Sequence, residues 1–281
     1  MQHWFSYPTN VDPIAIHLGP IGIHWYGISY LIGFVAVGLW MSRRAGRRRL
    51  GLTTEQIQDF LFYALIGVMV GGRVFFVIND VISRHDLSYY TSAPLNIIAV
   101  WQGGMAFHGG VVGVLVAVAL FVRKHPGLKY MVLSDEIVMM LPVGIALTRI
   151  VNFINNELWG NICNPDHPWC MIPKQNADWG LGYRHPVQIY EAVLDILTLP
   201  ILLYLYKRKP ADGVVAWTWF GIYGITRTIA ECFRQADFTL YGITGGQLYA
   251  IPMILIGAYG VWYCLRRGRR TEQTIPPEPT H

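Results

Sequence analysis

The residues best suited to chemistry lie inside long apolar stretches, where charged side chains are costly and usually functional. One stretch carries four polar residues at spacings of four, four and three: Tyr223, Arg227, Glu231 and Arg234. Those spacings place all four along one face of a helix. Two arginines beside one carboxylate leave positive charge uncompensated, which favours an anionic ligand. The alternative for Glu231 is a pair with arginine that only neutralises itself within the protein.

A second polar stripe ends another apolar stretch, in the segment TRIVNFINNELWG. Arg149, Asn152 and Asn156 recur there at intervals of three and four, and Glu157 follows. A polar cap at the membrane interface would explain the asparagines alone, but Arg149 lies deeper and needs a partner. Arg149 and Arg227 are predicted at the same membrane level, so both could bind one anionic group. A phospholipid phosphate is the natural candidate at that depth.

A histidine and a tyrosine add further candidates. His108 lies between glycine pairs in VWQGGMAFHGG, where glycine permits close approach of backbone or ligand. Its ordinary pKa suits a general base near neutral pH, although a simple hydrogen bond to a neighbour is the alternative. Tyr26 lies near the outer end of the first apolar stretch, where an interfacial aromatic belt is the alternative. No metal-ligand spacing or nucleotide-binding glycine motif occurs, so we expect neither metal nor cofactor.

These residues must be positioned by membrane helices. Of the 281 residues, 53% are hydrophobic and only 14% charged, against roughly a quarter charged in ordinary globular domains. A spanning helix needs roughly 20 mainly apolar residues. Seven stretches qualify: 20–42, 58–79, 97–122, 132–153, 187–206, 213–233 and 246–265. The sequence therefore predicts an all-α polytopic membrane protein with seven transmembrane helices. Gly67 with Gly71, and Gly109 with Gly113, allow close helix packing.

The basic residues predict the orientation of these spans. Fifteen of the 22 Lys and Arg residues lie in the first, third and fifth connections and in the C-terminal tail. By the positive-inside rule the C-terminus is cytoplasmic and the N-terminus outside, as an odd number of spans requires. The net charge of +5 is therefore an orientation signal, and we expect no nucleic-acid partner. The polar stripes lie near the opposite, non-cytoplasmic face.

The predicted membrane domain covers residues 1–265 and includes two long outer connections, an arm at 80–96 and a small head at 154–186. Residues 266–281 form a predicted basic, disordered cytoplasmic tail. No signal peptide is expected, because the start lacks a basic region and the first apolar stretch is too long. Cys163 and Cys170 share the head. They are open to a disulfide if the head faces an oxidising compartment, whereas a zinc site is disfavoured.

The same residues make the sequence resemble the prolipoprotein diacylglyceryl transferases, bacterial membrane enzymes that first lipidate lipoprotein precursors. The resemblance spans nearly the whole chain. It rests on seven blocks: HWYG at 24–27, GGR at 71–73, GGMAFHGG at 103–110, RIVNFINNELWG at 149–160, RHPVQIYE at 184–191, the run 223–235, and GGQLYAIPM at 245–253. Three positions depart from the family pattern. Gln102 replaces an aspartate found in some members, Thr148 replaces a glycine, and Asn156 interrupts NFINGE.

The resemblance implies a seven-helix protein of the bacterial inner membrane with a periplasmic head and an active site toward the periplasm. It implies transfer of diacylglyceryl from phosphatidylglycerol to the thiol of a lipobox cysteine in a prolipoprotein signal peptide. The products are a thioether-linked lipid and glycerol phosphate, and this is the first step of lipoprotein maturation. The implied partners are phosphatidylglycerol, the prolipoprotein and membrane lipids.

Carried over residue by residue, the resemblance also assigns roles. Those expected in catalysis are His108, Arg149, Arg227 and Glu231. Those expected in substrate binding are Tyr26, Arg149, Asn152, Glu157, Gly160, Tyr223, Arg227 and Arg234. The two catalytic arginines would hold the phosphate, and His108 would take the thiol proton. Glu231 would orient Arg227 or replace His108 as the base, and Tyr26 would bind the ester region.

Two other classes of function stay open from the residues alone. A transporter or channel for an anionic solute would need a polar path through the cytoplasmic half, which is mostly apolar in spans four and six. A non-catalytic lipid-binding scaffold would leave His108 without a role. Release of glycerol phosphate would separate both from a transferase.

Overall fold

The chain is predominantly α-helical in a computed structural model that describes residues 7, 12–18, 21–84, 87–100, 103–174, 182–236 and 238–273. Eleven helices and four short strands lie within those residues. The helices are α1 (Trp25–Ser42), α2 (Arg44–Leu50), α3 (Thr54–Arg84), α4 (Ser88–Ser92), α5 (Leu95–Ile98), α6 (Phe107–Lys124), α7 (Tyr130–Val138), α8 (Leu141–Ile154), α9 (Val187–Lys207), α10 (Val214–Glu231) and α11 (Gly245–Gln273). The strands are β1 (Ile14–Leu18), β2 (Ile21–His24), β3 (Thr239–Leu240) and β4 (Ile243–Thr244), paired as two antiparallel hairpins.

Four described helices are long and apolar enough to cross a membrane: Trp25–Ser42, Thr54–Ser83, Val187–Lys207 and Gly245–Gly268. The pair α7 and α8, bent by 44°, is a fifth candidate if it counts as one broken span. Helices α6 and α10 coincide with the remaining two predicted stretches. The chain is thus a helical protein with four to five candidate spans, and the count of seven stays a prediction.

Two predicted spans begin later than expected. The first was predicted from residue 20, but residues 21–24 pair with β1 in a hairpin, so the helix begins at Trp25. The third was predicted from residue 97, but its helix begins at Phe107. Gly103 and Gly104 have φ values of 81° and 75°, a left-handed conformation that a helix cannot continue through. Apolar composition locates each stretch, but it does not reveal the hairpin or the glycine turn that delays the start of the helix.

Other boundaries differ in detail. Helix α3 runs from Thr54 to Arg84, longer than the predicted 58–79, so it takes up part of the predicted arm. Its start is fixed by a reciprocal cap: Thr53 N donates to Gln56 Oε1 at 2.9 Å, and Gln56 N to Thr53 Oγ1 at 3.3 Å. Helix α11 continues to Gln273, and residues 274–281 of the predicted tail lie outside the described residues.

The chain divides into two compact units. The first comprises Met1–Trp40 and Ser134–His281. Within it α8 packs on α9, and α10 packs on both α9 and α11. Helices α10 and α11 cross closely through glycine, since a Cβ at Gly257 would lie 2.6 Å from the Cα of Gly221. These contacts bring the polar faces of α8, α9 and α10 together.

Two fully buried carboxylates of α7 bind neighbouring parts of this unit. Asp135 accepts hydrogen bonds from the backbone N–H groups of Gly213 and Ala216, both at 2.9 Å. It thereby caps the free amides at the N-terminus of α10. Glu136 accepts from Trp40 Nε1 at 2.9 Å and from the Tyr206 hydroxyl at 2.6 Å. The register of α10, and hence of its arginine, is fixed from this end.

The second unit is Met41–Leu133, and its main contact is between α3 and α6. The predicted glycine pairs form that crossing. A Cβ at Gly71 would lie 2.2 Å from Gly109 O, and one at Gly113 would lie 1.8 Å from Gly67 O. Only residues without a side chain allow the two backbones to approach so closely. The small-residue spacing in the sequence therefore identified a real helix contact.

Candidate active site

A buried carboxylate on α9 links arginines from two neighbouring helices. Glu191 Oε2 lies 3.0 Å from Arg149 Nε of α8, and Glu191 Oε1 accepts a hydrogen bond from Arg227 Nη1 of α10. Arg234 Nη1 lies 3.9 Å from the same Oε1. The Glu191 side chain is 6% exposed, so these ion pairs are sheltered from water. The structure thus brings together Arg149, Arg227 and Arg234, and their binding of an anion stays a prediction.

Glu231 completes the group from one helical turn along α10. Its Oε2 lies 3.1 Å from Arg227 Nη2, at the spacing of four residues that the sequence indicated. The carboxylate rests against the start of α11, where a Cβ at Gly246 would lie 2.2 Å from Glu231 Oε2. Glu231 therefore pairs with Arg227, and Gly246 leaves the room that the carboxylate needs.

Arg149 and Arg227 both face a small cavity of about 10 Å³, close to the space of one water molecule. Its wall also includes Glu191, Asp195 and Tyr223. Asp195 is 5% exposed and lies one turn beyond Glu191 on α9. The positive charge of the site is therefore compensated more fully than α10 alone indicated, because Glu191 and Asp195 add carboxylates from another helix.

Three further predicted residues form a second hydrogen-bonded group. The Tyr26 hydroxyl donates to Glu157 Oε2, and Asn152 Nδ2 lies 3.0 Å from the same carboxylate oxygen and also contacts the Tyr26 hydroxyl. Gln188, which is fully buried, donates to the backbone carbonyl of Glu157. Predicted substrate-binding side chains therefore tie the end of α8 to α1, and Gln188, which was not predicted, ties it to α9.

Gly160 and Arg234 meet through the backbone. They form an isolated antiparallel bridge, and Gly160 N donates to His185 O at 2.9 Å. A Cβ at Gly160 would lie 2.3 Å from Phe233 O, so no other residue fits there. Arg184 Nη1 donates to Gly160 O at 2.9 Å and thereby closes this junction. Gly160 thus serves the packing that holds Arg234 beside Glu191.

The loop that leads to α9 contains the two head cysteines. Cys163 and Cys170 form a disulfide, with their Cα atoms 6.0 Å apart. Cys163 Sγ lies 3.5 Å from His185 Nδ1. Burial, and then the neighbouring His167, lower the pKa of the His185 imidazole. These three side chains could ligate a metal ion only after reduction, because a disulfide sulfur is not a thiolate.

His108 belongs to the second compact unit. It is the second residue of α6, and its side chain is exposed. A solvent-accessible imidazole at a helix start is compatible with proton transfer. Its assignment as the base stays a prediction.

The sequence interpretation gave no role to Glu191 or Asp195. Both lie on the buried face of α9, with Gln188, at spacings of three and four. Such a polar stripe within an apolar helix is the signal that could have identified them. Of the positions that depart from the family pattern, Thr148 donates to Gly144 O at 3.0 Å within α8, and Gln102 lies outside the described residues.

Comparison with known proteins identifies the family to which this chain belongs. The family model described as prolipoprotein diacylglyceryl transferase matches residues 13–263. A phosphatidylglycerol–prolipoprotein diacylglyceryl transferase of Methylibium petroleiphilum is 40% identical over 262 residues, covering 89% of this chain and 96% of that protein. Relatives with the same name in Legionella pneumophila and Pseudomonas savastanoi are each 40% identical over 267 residues, covering 93% of this chain and 99% and 96% of theirs. The chain therefore belongs to the prolipoprotein diacylglyceryl transferase family.

Proposed function

We propose that this chain transfers the diacylglyceryl group of phosphatidylglycerol to the thiol of a lipobox cysteine in a prolipoprotein. The pairing of Arg149 and Arg227 around one buried carboxylate, on the wall of one cavity, is the observation that carries the proposal. The names of the relatives, which cover nearly their whole length, support the same activity.

The bond changes define what the site must supply. The cysteine sulfur forms a bond to the terminal glycerol carbon of the diacylglyceryl group, and the bond from that carbon to the phosphate oxygen breaks. Glycerol phosphate leaves with the electron pair, and the thiol proton passes to a base. Negative charge therefore grows on the leaving phosphate while the thiolate is consumed. Preorganised cations at the phosphate stabilise this transition state.

Arg149 and Arg227 suit that task. Arg227 donates one Nη1 hydrogen to Glu191 Oε1, and its Nη2 lies 3.1 Å from Glu231 Oε2 as an ion pair. The two Nη groups carry four hydrogens in all, more than these contacts use. Arg227 can therefore donate to a phosphate oxygen without losing its carboxylate partners. The cavity is close to the size of one water, so a headgroup needs the surrounding side chains to move apart.

The remaining roles belong to the same proposal. Tyr223 lies on the same cavity wall, and Arg234 adds a third positive charge beside Glu191. Tyr26, Asn152 and Glu157 form a polar group that suits the ester region. His108 is the proposed base, because a free thiol with a pKa near 8.5 is mostly protonated at neutral pH.

We further propose that the chain crosses the bacterial inner membrane seven times, through α1, α3, α6, the broken pair α7 and α8, α9, α10 and α11. The N-terminus and the loop at 155–186 are then periplasmic, and the C-terminus is cytoplasmic. The excess of basic residues in the first, third and fifth connections supports this orientation.

The direct test is transfer of labelled diacylglycerol from phosphatidylglycerol to a lipobox peptide by the purified chain. We expect thioether formation and glycerol phosphate release in equal amounts. Arg149→Ala and Arg227→Ala should each slow transfer on the order of 100-fold or more, the usual effect of losing one preorganised donor. Arg208→Ala is the matched control, because Arg208 is exposed just after α9 and its side chain donates to the Tyr204 hydroxyl, away from the site arginines in the described contacts.

Three outcomes would count against the proposal. A folded wild type that transfers nothing would move the anion transporter to the front. Lipid binding without glycerol phosphate release would favour a scaffold. Equal losses in Arg208→Ala and in the two site variants would show that arginine removal acts through general destabilisation.

A further inference from the structure

The second unit contains a buried arginine that has no part in the ion pairs described above. Arg73 of α3 is 7% exposed. Its Nε donates to Ile97 O at 2.9 Å, and its Nη1 donates to Gly103 O at 2.7 Å and to Gly104 O at 3.0 Å. Its Nη2 donates to Asn96 O. One guanidinium therefore binds four backbone carbonyls from two separate segments.

The partners of Arg73 indicate what it does. All four described hydrogen bonds of the Arg73 side chain go to backbone carbonyls. The planar guanidinium carries five donors in a fixed fork and can join two chain segments at once. The compact ammonium of lysine could not reach all four carbonyls. Arg73 is thus suited to hold a backbone conformation.

That backbone is the turn before α6. Gly103 and Gly104 both have positive φ, and glycine has little conformational preference of its own. A Cβ at Gly104 would lie 2.5 Å from Phe76 Cε1, so the turn is pressed against that ring. Ala106 N donates to Gly72 O at 2.9 Å, and α6 begins at the next residue. Contacts with α3 therefore set the direction in which α6 starts.

We propose that Arg73 is a positioning residue for the transfer reaction: by clamping the glycine turn at 103–104 it fixes how α6 presents His108, four residues farther on. The proposal rests on the assignment of His108 as the base. It adds a function for the GGR block of α3, whose arginine touches no residue of the arginine and carboxylate group around Glu191 in the described contacts.

The experiment compares full-length Arg73→Gln, Arg73→Lys, His108→Gln and the double variant Arg73→Gln/His108→Gln in nanodiscs containing phosphatidylglycerol. Hydrogen–deuterium exchange of the peptide 96–106 reports the clamp, and kcat and KM for phosphatidylglycerol report the reaction. Tyr90→Phe is the matched control. Tyr90 is 3% exposed and ties α4 to α3 through Asp80 Oδ2 at 2.9 Å, without contact to the glycine turn in the described hydrogen bonds.

We expect faster exchange in 96–106 for Arg73→Gln and a kcat lowered on the order of 100-fold, the usual effect of a misplacement near 1 Å, with little change in KM. The double variant should be no slower than His108→Gln, because the clamp acts only through His108. Arg73→Lys should have an exchange rate and a kcat between those of the wild type and Arg73→Gln. It replaces Arg73→Gln in the comparison if that variant does not fold. Tyr90→Phe should loosen α4 and keep its kcat.

Each contrary result overturns a defined part. Unchanged exchange in Arg73→Gln removes the clamp, and faster exchange with an unchanged kcat removes the positioning role. Additive losses of kcat in the double variant show that Arg73 does not act through His108. They overturn the positioning role of Arg73 and leave the assignment of His108 in place. A full rate in His108→Gln overturns this proposal and the assignment of the base together, whereas the transferase activity itself is judged by the wild type.

Discussion

At the scale of single residues, the site depends on one shared carboxylate. Glu191 contacts Arg149 and Arg227 directly and lies 3.9 Å from Arg234, although Arg149 and Arg227 belong to two other helices. A carboxylate that several arginines share fixes their positions relative to one another. It also lowers the electrostatic cost of gathering them in a buried place.

Glu191→Gln should therefore destabilise the protein more than an ordinary surface substitution. Two largely buried guanidinium groups would lose their common counter-charge, and breaking such a buried pair typically costs about 3 to 5 kcal/mol of unfolding free energy. Denaturant unfolding in detergent would measure the loss. Glu55→Gln is the control, because Glu55 is exposed at the start of α3. Similar losses in both variants would contradict the shared role of Glu191.

Asn156 illustrates a departure from the family pattern that the backbone explains. Its φ is 62°, in the left-handed region where glycine and asparagine are favoured. Its side chain accepts from Trp159 Nε1 and Lys174 N and donates to Lys174 O, all at 3.0 Å. Asparagine therefore substitutes for glycine here and adds contacts to the loop.

Replacing Asn156 separates backbone strain from hydrogen bonding. Asn156→Gly and Asn156→Ala both lose the side-chain bonds, but only alanine pays the left-handed penalty of roughly 1 to 2 kcal/mol. We expect the alanine variant to be the less stable of the two by about that amount, measured as unfolding free energy under identical conditions. An alanine variant as stable as the glycine variant would show that this φ is not maintained.

At the scale of helices, glycine fixes the α3 and α6 crossing. A Cβ at Gly113 would lie 1.8 Å from Gly67 O, whereas a Cβ at Gly110 on the same helix would meet Val68 Cγ1 at an ordinary 3.7 Å. Gly113→Ala should therefore cost at least the 1 to 3 kcal/mol that is typical of overpacking. Gly110→Ala should be neutral or stabilising by up to about 1 kcal/mol, because alanine favours helix. Thermal unfolding of the two variants makes the comparison, and equal midpoints would refute the close crossing.

The same scale shows what the sequence could and could not predict. Apolar length located the helices, and the small-residue spacing at Gly67, Gly71, Gly109 and Gly113 located a contact, because both depend on local composition. The starts at Trp25 and Phe107 escaped prediction, since a hairpin and a glycine turn interrupt stretches that remain apolar. The role of Glu191 escaped as well, because it arises only when α8, α9 and α10 come together.

At the scale of the whole molecule, the candidate residues fall in both compact units. The arginine and carboxylate group lies in the unit formed by Met1–Trp40 and Ser134–His281, and His108 with its glycine turn lies in Met41–Leu133. In the first unit Glu191 joins the arginines, and in the second Arg73 binds the backbone of the glycine turn before α6. The proposed reaction takes place on the periplasmic side, which makes the orientation of the spans decisive.

Labelling of single introduced cysteines with a membrane-impermeant maleimide in intact bacteria tests that orientation. Thr239 lies between α10 and α11, Lys124 ends α6 and Arg208 follows α9, and all three are exposed. In a background with Cys232 and Cys264 replaced by serine, we expect Thr239→Cys to react from the periplasm. Lys124→Cys and Arg208→Cys should react only after permeabilisation, because the basic connections stay cytoplasmic.

The background variant without an added cysteine is the control for labelling of the disulfide pair Cys163 and Cys170. Labelling of Lys124→Cys and Arg208→Cys in intact cells, with protection of Thr239→Cys, would show that the protein has the opposite orientation in the membrane. The end of α10 that carries Arg227 and Glu231 would then face the cytoplasm, where no translocated lipobox thiol is available. If all three positions reacted from the same side, an even number of crossings would lie between each pair of them. The seven-span arrangement, which has the single crossing α10 between Arg208 and Thr239, would then be wrong, and the arginine site would need another explanation.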